Sequence, residues 1–348
     1  MIRGAALALA IVLTACSAQP AASPSPSATL AAASPTPTPV PIATRTPAPS
    51  PTPTLIPLPS FADLSTPSGT IVWAFVAGTR LFRSTDRGDT WTERPVPPQP
   101  LNGLVTFVDD HEGWFASLAQ PAQQCMTQLL TITHTFDSGS TWQTVTPAGI
   151  AAEQCKQSLV FSDAQHGSLV GWDPNSPPVI YRTADGGRTW SASRLPDPPG
   201  FITKPGGFTL HPYAVKTFRT EAFNGLKLVE VSGLIDNQQP PQHRYVFAST
   251  DDGASWTYRV TVPDPDSQVV FLTDTHWFQL SAGAVPKETT DGGVTWQAFT
   301  TDYKQAAPIA PSIVFGDSQI GYATVRGTIQ RTVDGGAHWT SIRTPGTF

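Results

Sequence analysis

Short apolar runs repeat along the chain after residue 60, in units of about 48 residues. In each unit one run ends near a Phe, two further runs follow, and a fourth run begins at a Trp. Clusters of Gly, Asp, Ser and Pro separate the runs, which is typical of strands joined by turns and not of long helices. The pattern therefore predicts an all-β domain built from repeated four-stranded units.

The third and fourth runs of every unit are joined by a segment of one pattern, (S/T)-x-D-x-G-x-(T/S)-W. His338 replaces the second hydroxyl residue in the last copy, and successive Trp residues lie 40 to 66 positions apart. The Asp can accept bonds from backbone N–H groups of its own turn, and the Gly supplies the positive φ of a tight hairpin. The six Asp residues are Asp86, Asp137, Asp185, Asp251, Asp291 and Asp334.

This motif resembles the Asp-box, or bacterial neuraminidase repeat, of β-propellers of the sialidase, sortilin and photosystem II assembly-factor types. The resemblance covers about residues 61–344 and implies a six-bladed β-propeller of four-stranded antiparallel blades. Each blade would consist of strands a to d, counted outward from the channel. A seventh blade would need a unit without the motif, and the longest gap of 66 residues is too short for two blades.

A second element precedes each Asp-box: a Phe, usually followed two or three residues later by Asp. The copies begin at Phe61, Phe107, Phe161, Phe218, Phe271 and Phe315. We expect each Phe to end strand a. Since strands alternate in direction, all Asp-boxes should then share one face, and the longest loops, at 120–128, 196–213, 234–244 and 303–311, should lie on the other.

The first 15 residues are typical of a bacterial lipoprotein signal peptide. A basic start at Arg3 is followed by an apolar run that ends Leu-Thr-Ala-Cys at residues 13–16. This ending resembles the lipobox, so we expect Cys16 to be acylated and to anchor the chain to a membrane. The run is too short for a transmembrane helix, which needs about 20 residues. An ordinary signal peptide with an incidental Cys16 is the alternative.

Residues 17–59 are almost entirely Pro, Ser, Thr and Ala, with thirteen Pro and Arg45 as the only charge. Such a segment buries too little apolar surface to fold, so we predict a disordered stalk with a reach on the order of 100 Å. The predicted organisation is a signal peptide at 1–15, a lipidated Cys and linker at 16–59, and a propeller at 60–348. We expect an extracytoplasmic, lipid-anchored protein of the bacterial cell envelope.

The amino-acid composition agrees with an all-β propeller, and the net charge restricts the classes of binding partner. The chain has 348 residues with 36 Pro and 27 Gly, only 14% charged residues, and a net charge of −5. It lacks the basic surface that nucleic-acid binding requires. We expect a monomer without cofactors.

Three Cys residues are present, and Cys16 is assigned to the lipid. The predicted topology places Cys125 and Cys155 in neighbouring loops of one face, so in an oxidising compartment we expect a disulfide between them. Two separate buried thiols are the alternative. The spacing of Cys and His does not suggest zinc. The pairs Asp109-Asp110, Asp251-Asp252 and Asp264-Pro-Asp266 could hold Ca²⁺, but solvated loop carboxylates are the simpler explanation.

Basic and aromatic residues around the channel on the long-loop face are the candidates for ligand binding. Together they could bind an anionic or sugar ligand, although packing over the core is the better explanation for each residue taken singly. They are Lys204, His211, Tyr213, Arg219, His243 and Arg244.

Sialidases combine an Arg triad, a Tyr–Glu nucleophile pair and an Asp acid/base, and carry Arg-Ile-Pro in the first blade. The matching stretch here, Pro-Ser-Phe-Ala-Asp at residues 59–63, has no Arg. No catalytic residue can therefore be assigned, and fold alone licenses no activity. We expect a tethered binding or assembly propeller that recognises a protein or glycan on the face opposite the Asp-boxes. The alternative is a divergent exo-acting glycoside hydrolase, for which an inward Tyr–Glu pair beside two or more Arg would be the sign.

Overall fold

The computed structural model describes the propeller region in segments. They are residues 62–97, 102–122, 125–173, 176–199, 208–217, 225–235, 243–264, 267, 269–280, 285–303 and 312–347, with the backbone alone described at 102, 176, 208–217 and 233–235. The predicted signal peptide, Cys16 and the stalk lie outside these residues. No helix in the described segments is long and apolar enough to cross a membrane.

Six four-stranded antiparallel sheets form the fold, and each consists of four consecutive strands. Blade 1 contains β1 (Ala62–Ser65), β2 (Val72–Val76), β3 (Arg80–Ser84) and β4 (Thr92–Arg94); blade 2 contains β5 (Asn102–Phe107), β6 (Gly113–Leu118), β7 (Leu130–Thr135) and β8 (Gln143–Val145); blade 3 contains β9 (Cys155–Phe161), β10 (Gly167–Asp173), β11 (Ser176–Thr183) and β12 (Ser191–Arg194). Blade 4 contains β13 (Phe208–Thr217), β14 (Lys227–Ile235), β15 (His243–Ser249) and β16 (Thr257–Thr261); blade 5 contains β17 (Val269–Phe271), β18 (Trp277–Gln279), β19 (Lys287–Thr289) and β20 (Gln297–Ala298); blade 6 contains β21 (Ile313–Phe315), β22 (Gly321–Val325), β23 (Thr328–Thr332) and β24 (Thr340–Ile342). The predicted six-bladed propeller is confirmed.

The core is divided into six apolar clusters, one between each pair of neighbouring blades. Trp73 of blade 1 stacks on Phe107 of blade 2, with 3.6 Å between the ring centroids. Trp114 of blade 2 stacks on Phe161 of blade 3 in the same way, at 3.8 Å. The cluster between blades 6 and 1 closes the ring with side chains such as Tyr322, fully buried against blade 1. Both faces of each blade are therefore covered.

In blades 2, 3 and 6, the ring of the Phe that ends strand a packs against the Gly that begins strand b. A Cβ on Gly113 would lie 2.3 Å from the ring of Phe107, and a Cβ on Gly321 would lie 2.5 Å from that of Phe315. Since real Cβ contacts are never this short, only Gly fits. The recurring Phe and Gly of the sequence are thus two halves of one packing contact.

The Asp-box turns share one hydrogen-bonding scheme. In blade 3 the Asp185 carboxylate accepts bonds from the N–H and the hydroxyl of Thr189 at 2.8 and 2.6 Å, and from the Thr183 hydroxyl at 2.8 Å. Thr183 Oγ1 also accepts a bond from the N–H of Gly187, whose φ is +93°. In blade 6, His338 Nδ1 lies 2.6 Å from Asp334 and substitutes for the missing hydroxyl.

These bonds favour the ionised form of the box carboxylates. They hold the pKa of five of the six Asp residues at about 2: Asp86, Asp137, Asp251, Asp291 and Asp334. The Asp-boxes are therefore structural turns that stay charged at physiological pH. We call the face that carries them, together with the a–b turns, the box face, and the opposite face the loop face.

Blades 1 and 5 differ from blades 2, 3 and 6 in the residues of the Phe-x-Asp element. In blade 2, Thr106 directly precedes Phe107 and accepts the N–H of Phe161 through Oγ1. In blade 1, Ser65 Oγ accepts the N–H of Phe107 in the same way. Thr66, which follows Ser65, therefore occupies the position that Phe107 holds in blade 2, and the prediction that Phe61 ends strand a is wrong. Asp63 consequently lies inside β1, and burial raises its pKa to about 6. In blade 5 the turn N–H groups bond to Thr273 and not to Asp274, because a hydroxyl two residues after Phe271 serves as well as a carboxylate.

The Trp residues that follow the Asp-boxes differ in burial. Trp190, Trp256 and Trp339 are buried, whereas Trp91, Trp142 and Trp296 are half-buried. Each of these Trp residues lies directly before strand d, the outermost strand of its blade.

Removal of one box carboxylate should weaken the fold. Asp185→Ala leaves the N–H of Thr189 without its acceptor, so we expect the free energy of unfolding to fall by about 1–2 kcal/mol. Asp185→Asn keeps one side-chain oxygen and should lose less. Urea denaturation followed by Trp fluorescence measures both variants, and an Ala variant as stable as wild type would contradict the structural role.

Candidate binding face

Within the described residues, the loop face carries a platform built from residues 119–122 and 125–129 between β6 and β7. This segment, which we call the loop platform, reaches from blade 2 onto blade 3. The N–H of Gln128 donates to the carbonyl of Ala152 at 2.9 Å, and the N–H of Gln154 donates to that of Met126 at 3.2 Å. The platform is thus hydrogen-bonded to the chain that leads into β9.

A disulfide joins the same two segments. Cys125 in the loop platform bonds to Cys155 at the start of β9, with their Cα atoms 4.8 Å apart. Cys125 and Gln154 both have positive φ, at +73° and +74°, so the backbone turns sharply on either side of the link. The two residues lie on the loop face in adjacent blades, where the strand assignment from sequence placed them.

Beneath the platform lies a buried polar network. The side chain of Gln128 donates to the carbonyl of Ala119 at 2.9 Å and accepts the N–H of Lys156 at 2.7 Å. The buried Lys156 ammonium donates to the carbonyls of Glu153 and Gln154 at 2.8 and 2.7 Å. Burial lowers the pKa of Lys156 to about 8. These bonds fix the platform from below.

The loop platform exposes two large apolar side chains. Met126 is 45% exposed and Leu129 is 64% exposed. Sequence reasoning missed both residues. The only signal was Met126 within the predicted loop and Leu129 directly after it, and such residues more often pack inward.

Of the six candidate ligand-binding residues, the structure describes the side chains of two. Lys204 and Arg219 lie outside the described residues. His211 and Tyr213 belong to β13 and not to the connection before it, and Tyr213 falls at a register shift. His243 is exposed at the start of β15.

Arg244 does not face a ligand site. Its guanidinium lies 2.9 Å from the carboxylate of Glu230, and both side chains are buried. The same Glu230 oxygen accepts the N–H of Val269 at 3.0 Å, which ties blade 4 to blade 5. Tyr245 packs into the cluster on the other side of the blade. Glu230 and Tyr245 therefore do not form the Tyr–Glu pair that a sialidase-like enzyme needs.

The acidic pairs considered for Ca²⁺ are largely used within the fold. Asp109 accepts the N–H groups of His111 and Glu112, and Asp110 pairs with Arg83. Asp252 lies 2.5 Å from the ammonium of Lys227. Within the described part of the chain, no group of three His, Cys, Asp or Glu residues is arranged for a metal ion.

A central cavity of about 590 Å³ opens towards the box face. The ends of strand a in five blades line it, with apolar side chains such as Val108 and Leu272 and hydroxyls such as Ser162. Phe218-Arg219-Thr220, which corresponds to these positions in blade 4, lies outside the described residues. The cavity therefore lies at the opposite end of the blades from His243, which begins β15 on the loop face.

Comparison with known proteins supports the fold. No family model and no curated protein matches the chain. A crystal structure of a protein of unknown function from Dyadobacter fermentans is similar, with 11% identity and a TM-score of 0.51 over 83% of this chain and 96% of that one.

Two further solved structures are similar at lower scores. YCF48 bound to D1 peptide has 16% identity and a TM-score of 0.43, over 80% of this chain and 95% of that one. The GH74 xyloglucanase from Xanthomonas campestris has 14% identity and a TM-score of 0.48, over 83% of this chain but only 46% of the enzyme. At TM-scores below 0.5, these two similarities assign the chain no activity and no ligand.

Proposed function

We propose that the chain is a surface-tethered, non-catalytic binding propeller that recognises a protein ligand on its loop face. A glycan is the other ligand class that the sequence suggests. The observation that supports the proposal is the loop platform, which holds Met126 and Leu129 in solvent by a disulfide, cross-blade backbone bonds and a buried Gln–Lys network.

Such an arrangement suits association with a protein. A loop that is already ordered loses little conformational entropy on binding, so more of the contact energy remains as affinity. Met is enriched in protein interfaces, and Met and Leu offer apolar contact with few hydrogen-bonding groups. A sugar, rich in hydroxyls, would be a poorer match for this surface.

The proposal includes a lipid anchor at Cys16. The lipobox-like end of the signal peptide would leave Cys16 acylated, and the Pro-rich stalk would hold the propeller away from the membrane. A ligand in the envelope could then be captured without the propeller having to dock on lipid.

Changing the two exposed platform residues should remove binding. Met126→Ser combined with Leu129→Ser should reduce recovery of the bound envelope protein at least tenfold, because the apolar contact is lost while the platform's own bonds remain. Affinity-tagged full-length chain, crosslinked in the envelope and analysed by mass spectrometry, measures this.

The matched control is Val294→Ser combined with Val333→Ser. These two exposed residues lie in Asp-boxes, on the opposite face. Recovery should be unchanged in the control. If the control loses the partner and the platform variant keeps it, the ligand binds on the box face and the proposal is wrong.

Lipidation is tested separately. Metabolic labelling with a fatty-acid analogue should label wild type, and Cys16→Ala should abolish the label because the acceptor thiol is gone. A Cys155→Ala variant, which alters a different Cys, should remain labelled. Equal labelling of the Cys16→Ala variant would refute the anchor.

A further inference from the structure

Among the strands of the described residues, the ring closes without an exchange of strands between blades. Each blade consists of four consecutive strands, so blade 6 and blade 1 share no strand across the seam where the ends of the propeller meet. Side-chain contacts and the segment after β24 hold this seam. At this interface, unlike the other five, the chain does not run directly from one blade into the next.

The segment after β24 is fastened to its own blade. Thr344 and Thr347 are buried. The hydroxyl of Thr344 donates to the carbonyl of Gly327 at 2.6 Å, and the hydroxyl of Thr347 donates to that of Thr344 at 2.7 Å. Residues 344–347 thus form a compact turn on the loop-face end of blade 6.

The same turn contacts blade 1 through Arg80. The guanidinium donates to the carbonyl of Gly346 at 3.2 Å and forms two bonds of 2.7 Å with the carboxylate of Glu93. It also lies over the ring of Phe82, 4.9 Å from the centroid. Arg80 is therefore held in place by its own blade and reaches across the seam.

Gly346 fits this contact for two reasons. Its φ is +74°, which favours Gly, and a Cβ there would lie 2.7 Å from both Arg80 Nη1 and Phe82 Cζ. A side chain at this position would push the turn away from blade 1.

The box-face end of the seam has contacts of its own. Arg331 of blade 6 donates to the carbonyl of Arg87 and to Asp89 of blade 1, both at 2.7 Å. A Cβ on Gly316 would lie 2.1 Å from the carbonyl oxygen of Ser68, so the two a–b turns touch through backbone. Both blades at the seam also line the central cavity.

We infer that residues 344–347 are a latch that holds the first and last blades together at the loop face. Loss of the latch lets blades 1 and 6 separate more readily at the loop-face end of this seam. The other five interfaces, each spanned by a chain connection, stay closed.

Hydrogen exchange on the full-length chain tests the latch. Gly346→Ala should speed amide exchange at least tenfold in blades 1 and 6 and leave blade 3 unchanged, because the added methyl group displaces the turn from Arg80 and Phe82. Gly225→Ala is the matched control. Gly225 has a φ of +72°, but no described atom lies within 4 Å of the place that an added methyl group would take, so this variant carries the backbone strain without the clash.

A second pair of variants keeps the test decisive if Gly346→Ala does not fold. Arg80→Gln removes the bond to Gly346, whereas Glu93→Gln removes a partner of Arg80 within blade 1 and leaves the bond across the seam. The inference predicts fast seam exchange in the first variant and near wild-type exchange in the second. Unchanged exchange in blades 1 and 6 for Arg80→Gln, or equal acceleration in all blades, would overturn it.

Discussion

The rest of the structure depends on one constraint: every blade has two apolar faces, and both must be buried. A four-stranded sheet covered on one side would expose its other face, and the six apolar clusters show that each face is covered by a neighbouring blade. Fully buried aromatic side chains such as Trp73, Trp114 and Trp277 lie at these interfaces. Since burial of such side chains is a large term in stability, no blade can be removed without exposing two neighbours.

Polar contacts then fix how the blades meet. Glu230 joins β14 to the backbone of β17, Lys227 of blade 4 bonds to Ser168 of blade 3, and the disulfide joins blade 2 to blade 3. On the box face, short turns closed by their own Asp residues leave little freedom for variation. The loop face carries the longer segments, which is why a platform such as residues 119–129 can differ from blade to blade while the ring stays the same.

Local patterns and strand directions were predictable from the sequence, whereas side-chain pairings that depend on register and packing were not. The Asp-box residues and the Phe–Gly pairs repeat, so their roles follow from the turn chemistry of a single copy. The proximity of Cys125 and Cys155 follows from strand direction alone. The buried pairing of Arg244 with Glu230 has no such signal, because the partners are 14 residues apart in strands whose register is set by the whole blade. Thr66 in the place of a Phe, and the exposure of Met126 and Leu129, likewise depend on packing that no repeat encodes.

Calorimetric unfolding of the full-length chain tests the interdependence of the blades most directly. If each blade is stable only between its two neighbours, the propeller should unfold in one transition whose calorimetric enthalpy equals its van't Hoff enthalpy. Blades that unfold independently would instead give several transitions, or one broad transition whose calorimetric enthalpy is several times the van't Hoff value. Either of these results would contradict the account.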